Sequence, residues 1–269
     1  MSSDRPGLPL IIAHRGASGA IPENTCLALA TAIEQGADMV EVDVQLSRDG
    51  CPVIFHDWTL GRLARSAHYT RSALRSLGVC DLTVEEVRRL DVGSWKGRQF
   101  GGLAIPTLAE LLLQCGGLIA LNLELKVPDD AWTRSRTAEL VDQVGAALAR
   151  YSGPGAILIS SFDRAALERA RAAFPTGRLG VLPQPGGIAE TLRLADRLGA
   201  VSVHLRCTDV RPALVKTIHA GGRKAYAYTA DRVSTMRRLI AAGADGIFTN
   251  YPERLAKLLR SPSRTRARV

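Results

Sequence analysis

The sequence predicts an α/β fold, a TIM (β/α)8 barrel with a small insertion after the second strand. Three observations predict it. The chain has 269 residues, close to the size of one such barrel and enough for a single large core. Short apolar runs alternate with amphipathic helical patterns along most of its length, as parallel βα units require. The polar residues capable of chemistry cluster where apolar runs end, which is the rim on which a parallel barrel builds its catalysis.

The first run, Leu10-Ile11-Ile12-Ala13, delivers His14-Arg15-Gly16. Helical spacing follows over 24–35, with Asn24 or Thr25 as N-cap and Gly36 as stop. A strand over 39–46 alternates Val40, Val42 and Val44 with Glu41 and Asp43, so the two carboxylates share a face. Arg48-Asp49-Gly50 turns the chain into a hairpin arm over 52–55 that ends in His56-Asp57. Residues 58–105 carry helical pieces over 72–77 and 83–90, interrupted later by Gly93, Gly97, Gly101 and Gly102. They read as an insertion over the barrel mouth, not as a separate domain.

Regular alternation then resumes. Helices are predicted over 107–114, 132–151, 163–173, 188–198, 211–220, 234–242 and 252–259. The strands between them fall at 118–125, 156–160, 178–182, 200–204, 224–228 and 246–249. With the 52–55 arm set aside, eight barrel strands remain. The barrel domain is thus expected to span 1–259. A basic tail over 260–269 follows, where Arg260, Arg264, Arg266 and Arg268 lie among Ser, Pro and Thr and read as disordered.

Hydrophobic residues at 46% and charged residues at 23% are ordinary for a soluble enzyme. The net charge of +9 suits an anionic substrate as well as it suits nucleic acid. Nucleic-acid binding needs Lys and Arg interleaved with aromatics on one face, and the body of the chain has no such cluster, so no nucleic-acid partner is expected. The five cysteines form no CxxC pair, which argues against a disulfide framework or a zinc site and suits a reducing compartment. No run approaches the roughly 18 apolar residues of a membrane span, and no leader pattern opens the chain. A cytoplasmic protein without stable membrane insertion is expected. Its oligomeric state is not legible.

Glu41, Asp43 and Glu124 come from adjacent strand ends and form a hard oxygen set suited to a divalent cation, Mg²⁺ or Ca²⁺. An isolated E-x-D is ordinarily a solvated strand face. In a barrel both strand faces are covered, one by the lumen and one by the helices. His14 and His56 each end an apolar run beside a charged neighbour and are candidates for an acid/base pair. His68, His204 and His219 read as structural. Arg15 and Lys126 either bind an anion with tetrahedral oxygens or pair with the nearby carboxylates. Together these residues point to metal-assisted phosphoryl chemistry.

At these positions the sequence resembles the glycerophosphodiester phosphodiesterase family. The resemblance rests on His14-Arg15-Gly16, Pro22-Glu23-Asn24-Thr25, Glu41-Val42-Asp43, His56-Asp57 and Glu124-Leu125-Lys126, in that order. Leu158-Ile159-Ser160-Ser161-Phe162, Tyr228-Thr229-Ala230-Asp231 and Gly243-Ala244-Asp245-Gly246-Ile247 extend it over nearly the whole chain. It implies a TIM barrel that hydrolyses glycerophosphodiesters to glycerol 3-phosphate and an alcohol. Glu41, Asp43 and Glu124 would hold Mg²⁺ or Ca²⁺, His14 and His56 would be the acid/base pair, and Arg15 and Lys126 would bind the substrate phosphate.

Two departures stand out. After His56-Asp57 the chain has Leu60-Gly61-Arg62-Leu63-Ala64-Arg65, keeping the family's arginine but not its paired threonines. Near the end it has Thr249-Asn250-Tyr251-Pro252 where the family favours Thr-Asp, a change expected to matter little because the chemistry is expected elsewhere. An alternative is a related, lysophospholipase D-like barrel acting on lysophospholipids, with Trp58, Trp95 and Phe100 of the insertion supplying an apolar mouth.

Overall fold

The computed structural model describes residues 7–115, 117–127, 135–151 and 155–260. Eight parallel strands close into a barrel: β1 (Leu10–His14), β2 (Met39–Leu46), β4 (Ala120–Leu125), β5 (Ile157–Ser161), β6 (Arg178–Val181), β7 (Ser202–Arg206), β8 (Lys224–Tyr228) and β9 (Gly246–Thr249). Closure comes from β1, which pairs in parallel with both β2 and β9. The arm β3 (Pro52–Ile54) lies antiparallel to β2, outside the ring.

Helices cover the outside. They are α1 (Cys26–Glu34), α4 (Leu108–Cys115), α5 (Thr137–Ala149), α6 (Arg164–Ala173), α7 (Ile188–Arg197), α8 (Pro212–Ala220), α9 (Val233–Ala241) and α10 (Pro252–Arg260). The chain from β3 to α4 carries two further short helices, α2 (Arg71–Leu74) and α3 (Val84–Arg88).

Local sequence explains these boundaries. Thr25 caps α1 by accepting from the Ala28 amide at 3.1 Å, and Gly36, at φ +80°, ends it. Thr83 and Glu86 form a reciprocal capping box on α3, and Asp163 caps α6. Alternation sorts the strand side chains. Ile12, Met39, Leu158, Tyr226 and Phe248 pack together inside the barrel. Ile11, Ala13, Val40, Val42 and Val44 join helix residues in the main core. Each such Leu- or Ile-sized side chain contributes about 1.5–3 kcal/mol when fully buried.

Some elements depart from the sequence expectation. The strand expected at 200–204 is Ser202–Arg206, because Gly199 (φ +55°) and the Ala200 amide, bonded to Ala195 O at 2.9 Å, still close α7. His204 therefore sits in mid-strand and not at its end. The strand expected from 118 begins at Ala120, and Leu118 is exposed. Arg260, expected in the tail, is the last residue of α10, with Nε donating to Ala256 O at 3.3 Å. The rest of the expected tail, and residues 132–134 of the expected long helix, lie outside the described residues.

Between β3 and α4, Leu60, Leu63, Leu74, Val79, Val87 and Leu90 form a hydrophobic cluster of their own, joined by Val53 and Phe55 from the arm. Arg62 leaves this segment to reach the strand-end residues described next.

Candidate active site

All seven candidate residues line one cavity of about 210 Å³: His14, Arg15, Glu41, Asp43, His56, Glu124 and Lys126. The parallel register explains the convergence. His14 lies opposite Glu41 and Asp43 lies opposite Glu124, so three neighbouring strands aim these side chains into the same lumen layers.

The turn after β1 shapes one wall. Arg15 is left-handed, at φ +56°, which turns its backbone N–H onto Glu41 Oε2 at 2.9 Å. Gly16, at φ +79°, must be glycine, since a Cβ there would stand 2.6 Å from the Ala28 carbonyl carbon. Asn24, also left-handed at φ +58°, donates from Nδ2 to Asp43 Oδ2 at 2.8 Å. Gln45 of β2 donates to the Phe55 and Asp57 carbonyls at 2.8 and 3.1 Å. The strand that carries the carboxylates thus also fixes the backbone around His56.

Glu41, Asp43 and Glu124 offer oxygens lying within 4.8 Å of one another. Glu41 and Asp43 are buried, and Glu41 Oε1 meets no hydrogen-bond donor. Burial, then the charges of Asp43 and Glu124, push the Glu41 carboxyl well above its usual range. Glu124 is pushed up likewise, by burial and by Asp43. Asp43 moves the other way: burial opposes ionisation, but Arg15 and Lys126 overcome it. Three crowded carboxylates with an orphaned buried oxygen fit a divalent cation.

The two cations already touch this cluster. Arg15 Nε lies 3.3 Å from Asp43 Oδ2. Lys126 Nζ lies 3.3 Å from Glu124 and 3.7 Å from Asp43. Arg15 also bonds Glu23 Oε1 at 2.8 Å.

The histidines lean on different partners. His14 Nδ1 meets Asn250 Oδ1 at 2.8 Å. Burial first, then the Arg15 charge, bring its pKa down from 6.5 to about 4. His56 Nδ1 meets the Asp57 carboxylate at 2.8 Å. Asp57 resists burial and stays well below the usual carboxylate range through its bonds to His56 and Arg62. Arg62 bonds Glu23 as well, at 2.8 and 3.2 Å. Glu23, His56 and Asp57 form a second close group of possible metal ligands, but Arg62 already neutralises both of its carboxylates.

Sequence reasoning did not single out Glu23, Asn24, Asp57, Arg62 or Asn250 as working parts. The first four were visible as motif residues, Asp57 directly beside a candidate. Asn250 is a correction: the Thr-Asn departure was expected to lie away from the chemistry, yet its amide touches His14.

His204 lines the far wall with Phe162, Leu182, Tyr228, Thr229 and Phe248. Its ring lies 5.4 Å from Tyr226 and 5.2 Å from Phe248, Nε2 contacts Ser202 Oγ at 3.1 Å, and burial brings its pKa down to about 3. His219 pairs with Asp245 at 2.6 Å, and His68 is exposed in the insertion. Of the three aromatics expected at the mouth, Trp58 is 47% exposed and lies 5.0 Å from Lys126 Nζ, Trp95 packs against the insertion's own cluster, and Phe100 lies in the 3₁₀ turn Arg98–Phe100.

Comparison with known proteins follows the same lines. Residues 14–254 match the glycerophosphoryl diester phosphodiesterase family. A glycerophosphodiester phosphodiesterase of Caldanaerobacter subterraneus subsp. tengcongensis is 35% identical over 252 residues, covering 93% of this chain and 98% of that relative. One from Bacillus subtilis is 29% identical, covering 94% and 87%. Among solved structures, an Oleispira antarctica phosphodiesterase in complex with the product sn-glycerol-3-phosphate superposes with a TM-score of 0.84, at 32% identity and covering 94% and 98% of the two chains.

Proposed function

The chain belongs to the glycerophosphoryl diester phosphodiesterase family and is a phosphoric diester hydrolase, and from that premise we propose that it cleaves small glycerophosphodiesters to sn-glycerol 3-phosphate and an alcohol, with a divalent cation and two histidines. The observation that carries this reading is the single cavity that joins three carboxylates, two cations and two histidines. Its modest volume, against the roughly 300–1,000 Å³ of drug-sized ligand sites, suits a compact substrate. The Oleispira relative was solved with sn-glycerol-3-phosphate bound, the product expected here.

Glu41, Asp43 and Glu124 would hold the cation, Mg²⁺ or Ca²⁺, which when bound supplies positive charge against the phosphodiester oxygens. Arg15 and Lys126, now balanced by carboxylates, would turn to the phosphate as charge-assisted donors. His14, kept neutral by burial and by Arg15, accepts the proton of the attacking oxygen. That oxygen is a water, or the glycerol hydroxyl beside the phosphate, in which case a water then opens the resulting cyclic phosphate. As the new P–O bond forms, the P–O bond to the alcohol breaks, and His56 donates a proton to the leaving alkoxide. The assignment follows the surroundings: His56 stands against the Asp57 carboxylate, whereas His14 is buried beside the Arg15 charge.

The scattered cysteines, without a CxxC pair, favour a reducing, cytoplasmic compartment. Among the described residues no helix is long and apolar enough to cross a membrane.

A second reading, lysophospholipase D-like action, is favoured by exposed Phe162 lining the cavity and by exposed Trp58 against Lys126. A coupled assay for glycerol 3-phosphate from glycerophosphoethanolamine and glycerophosphocholine separates the two. Activity is expected to vanish with EDTA and return with Mg²⁺ or Ca²⁺. Turnover of lysophospholipids without turnover of either diester would overturn the first reading in favour of the second.

A further inference from the structure

Asn250 sits just beyond β9, beside the end of β1, where the barrel closes. Its side chain lies between two groups of opposite demand. Nδ2 is 2.7 Å from Asp231 Oδ2, and Oδ1 is 2.8 Å from His14 Nδ1. A carboxylate only accepts hydrogen bonds, so the amide must turn its NH₂ to Asp231 and its carbonyl oxygen to His14. A carbonyl oxygen also only accepts, so His14 Nδ1 must carry the hydrogen. That leaves the lone pair on Nε2.

The contacts of Asp231 hold this arrangement in place. Asp231 Oδ1 accepts from the Asn250 backbone N–H at 2.9 Å and from the Thr249 hydroxyl at 3.3 Å, so the carboxylate cannot swing away. Ser18 Oγ lies 2.8 Å from Asn250 Oδ1 and 2.6 Å from the carbonyl of His14, two acceptors that share its single hydroxyl hydrogen. His14 ends β1 and cannot itself choose its tautomer. The choice is made on β9 and in the segment after β8.

We propose that Asn250, oriented by Asp231, is a positioning residue that fixes His14 as the Nδ1–H tautomer and so presents Nε2 to the substrate as the accepting nitrogen. This rests on the reading of His14 as the base. The chain Asp231–Asn250–His14 places a neutral amide between carboxylate and imidazole, in contrast to His56, which meets Asp57 directly.

The relay can be dismantled and rebuilt. Asp231→Asn removes the obligatory acceptor, so the Asn250 amide is free to turn over and the His14 ring to follow it. The swap Asp231→Asn with Asn250→Asp restores the order: the new carboxylate at 250 accepts from His14 Nδ1–H, and the new amide at 231 donates to it. The oxygen of that amide can still take the backbone and Thr249 bonds. Ring nitrogen-15 spectra of the full-length, Mg²⁺-loaded protein read the tautomer directly, with His14→Gln assigning the signals.

The expected result is an Nδ1–H ring in the wild type and in the swap, and a mixture of tautomers in Asp231→Asn. The single variant should lose about 10–100-fold in kcat with KM nearly unchanged, and the swap is read by its ring tautomer alone, because the carboxylate it sets against His14 also favours the protonated ring. A merely structural role would lower the melting temperature without moving ring signals or kcat. The proposal is overturned by an Nε2–H ring in the wild type, or by an Asp231→Asn protein with unchanged ring signals and unchanged kcat. If the wild type hydrolyses no glycerophosphodiester, it is the base reading that fails, and the ring spectra still decide the positioning.

Discussion

The two histidines of one cavity differ in what stands behind them, and that difference makes a residue-scale prediction about pH. His14 is brought from 6.5 to about 4 by burial and by Arg15. A base must be unprotonated, and lowering its pKa extends the unprotonated range towards acid. At saturating cation, kcat/KM should therefore hold as pH falls through about 6.5 and drop only near pH 4, where His14 gains its proton. An acid limb centred near 6.5 would show that His14 is not the buried neutral base. His14→Ala and His56→Ala should each lose about 10²–10⁴-fold in kcat, the usual contribution of positioned acid/base groups, with melting temperatures close to wild type. Wild-type-like turnover in either variant would remove that residue from the mechanism. The seven candidates could be read in the sequence because His14 and His56 end short apolar runs, Glu41 and Asp43 alternate with valines on one strand, and Arg15, Glu124 and Lys126 lie within two residues of a strand end. Asn250 could not. Its importance comes from a contact with a residue 236 positions away, and only barrel closure brings the two together.

At the scale of elements, the loops carry as much of the site as the strands. The β1–α1 turn needs three left-handed residues in ten, Arg15, Gly16 and Asn24, to aim one amide at Glu41 and one side chain at Asp43. Gly16→Ala would place a methyl 2.6 Å from the Ala28 backbone in a backbone region that disfavours L-residues. It should cost at least 1–3 kcal/mol, roughly the strain of one such residue, and be read as a lower denaturant midpoint with an unchanged slope. A midpoint equal to wild type would mean that the turn relaxes freely. The segment after β3 is tied to the barrel through Arg62, whose fork bonds Asp57 behind His56 and Glu23 behind Arg15. Lysine carries the charge but not the fork. Arg62→Lys should thus lower kcat by roughly 10–100-fold while the segment's own hydrophobic cluster stays folded. Full activity in that variant would make the tie dispensable. Strand periodicity was legible because a closed barrel enforces it, and residues 224–228 and 246–249 were read to their ends. The segment over 58–105 was legible only as glycine-broken helices, because its order comes from a small core and from charge pairs to distant strands.

For the whole molecule, closing eight strands into a ring concentrates like charge where water cannot screen it, and this couples folding to pH and to cation. Glu41 and Glu124 are pushed above the usual 4.5 by burial, with Asp43 adding to both. Above that value the unfolded chain has released these protons while the folded chain still holds them. The folded state then binds more protons, so stability falls as pH rises through the raised values. Asp43 acts in the opposite sense, but its lowered value leaves its contribution already complete near neutrality. A cation held by the three carboxylates replaces the retained protons. Its stabilisation should therefore grow with pH, on top of the ordinary mass-action gain from a ligand that binds only the folded state. Melting curves at a series of pH values above 4.5, with EDTA and with Mg²⁺ or Ca²⁺, should show the cation-induced gain growing as pH rises, while the buried neutral His14 and His204 add stability with pH to both forms alike. Glu41→Gln should abolish most of the cation-induced gain and its growth with pH, because it removes both the strained charge and one ligand. A cation-induced gain of the same size at every pH, or one that survives Glu41→Gln, would mean that the barrel's carboxylates are not where the ion binds.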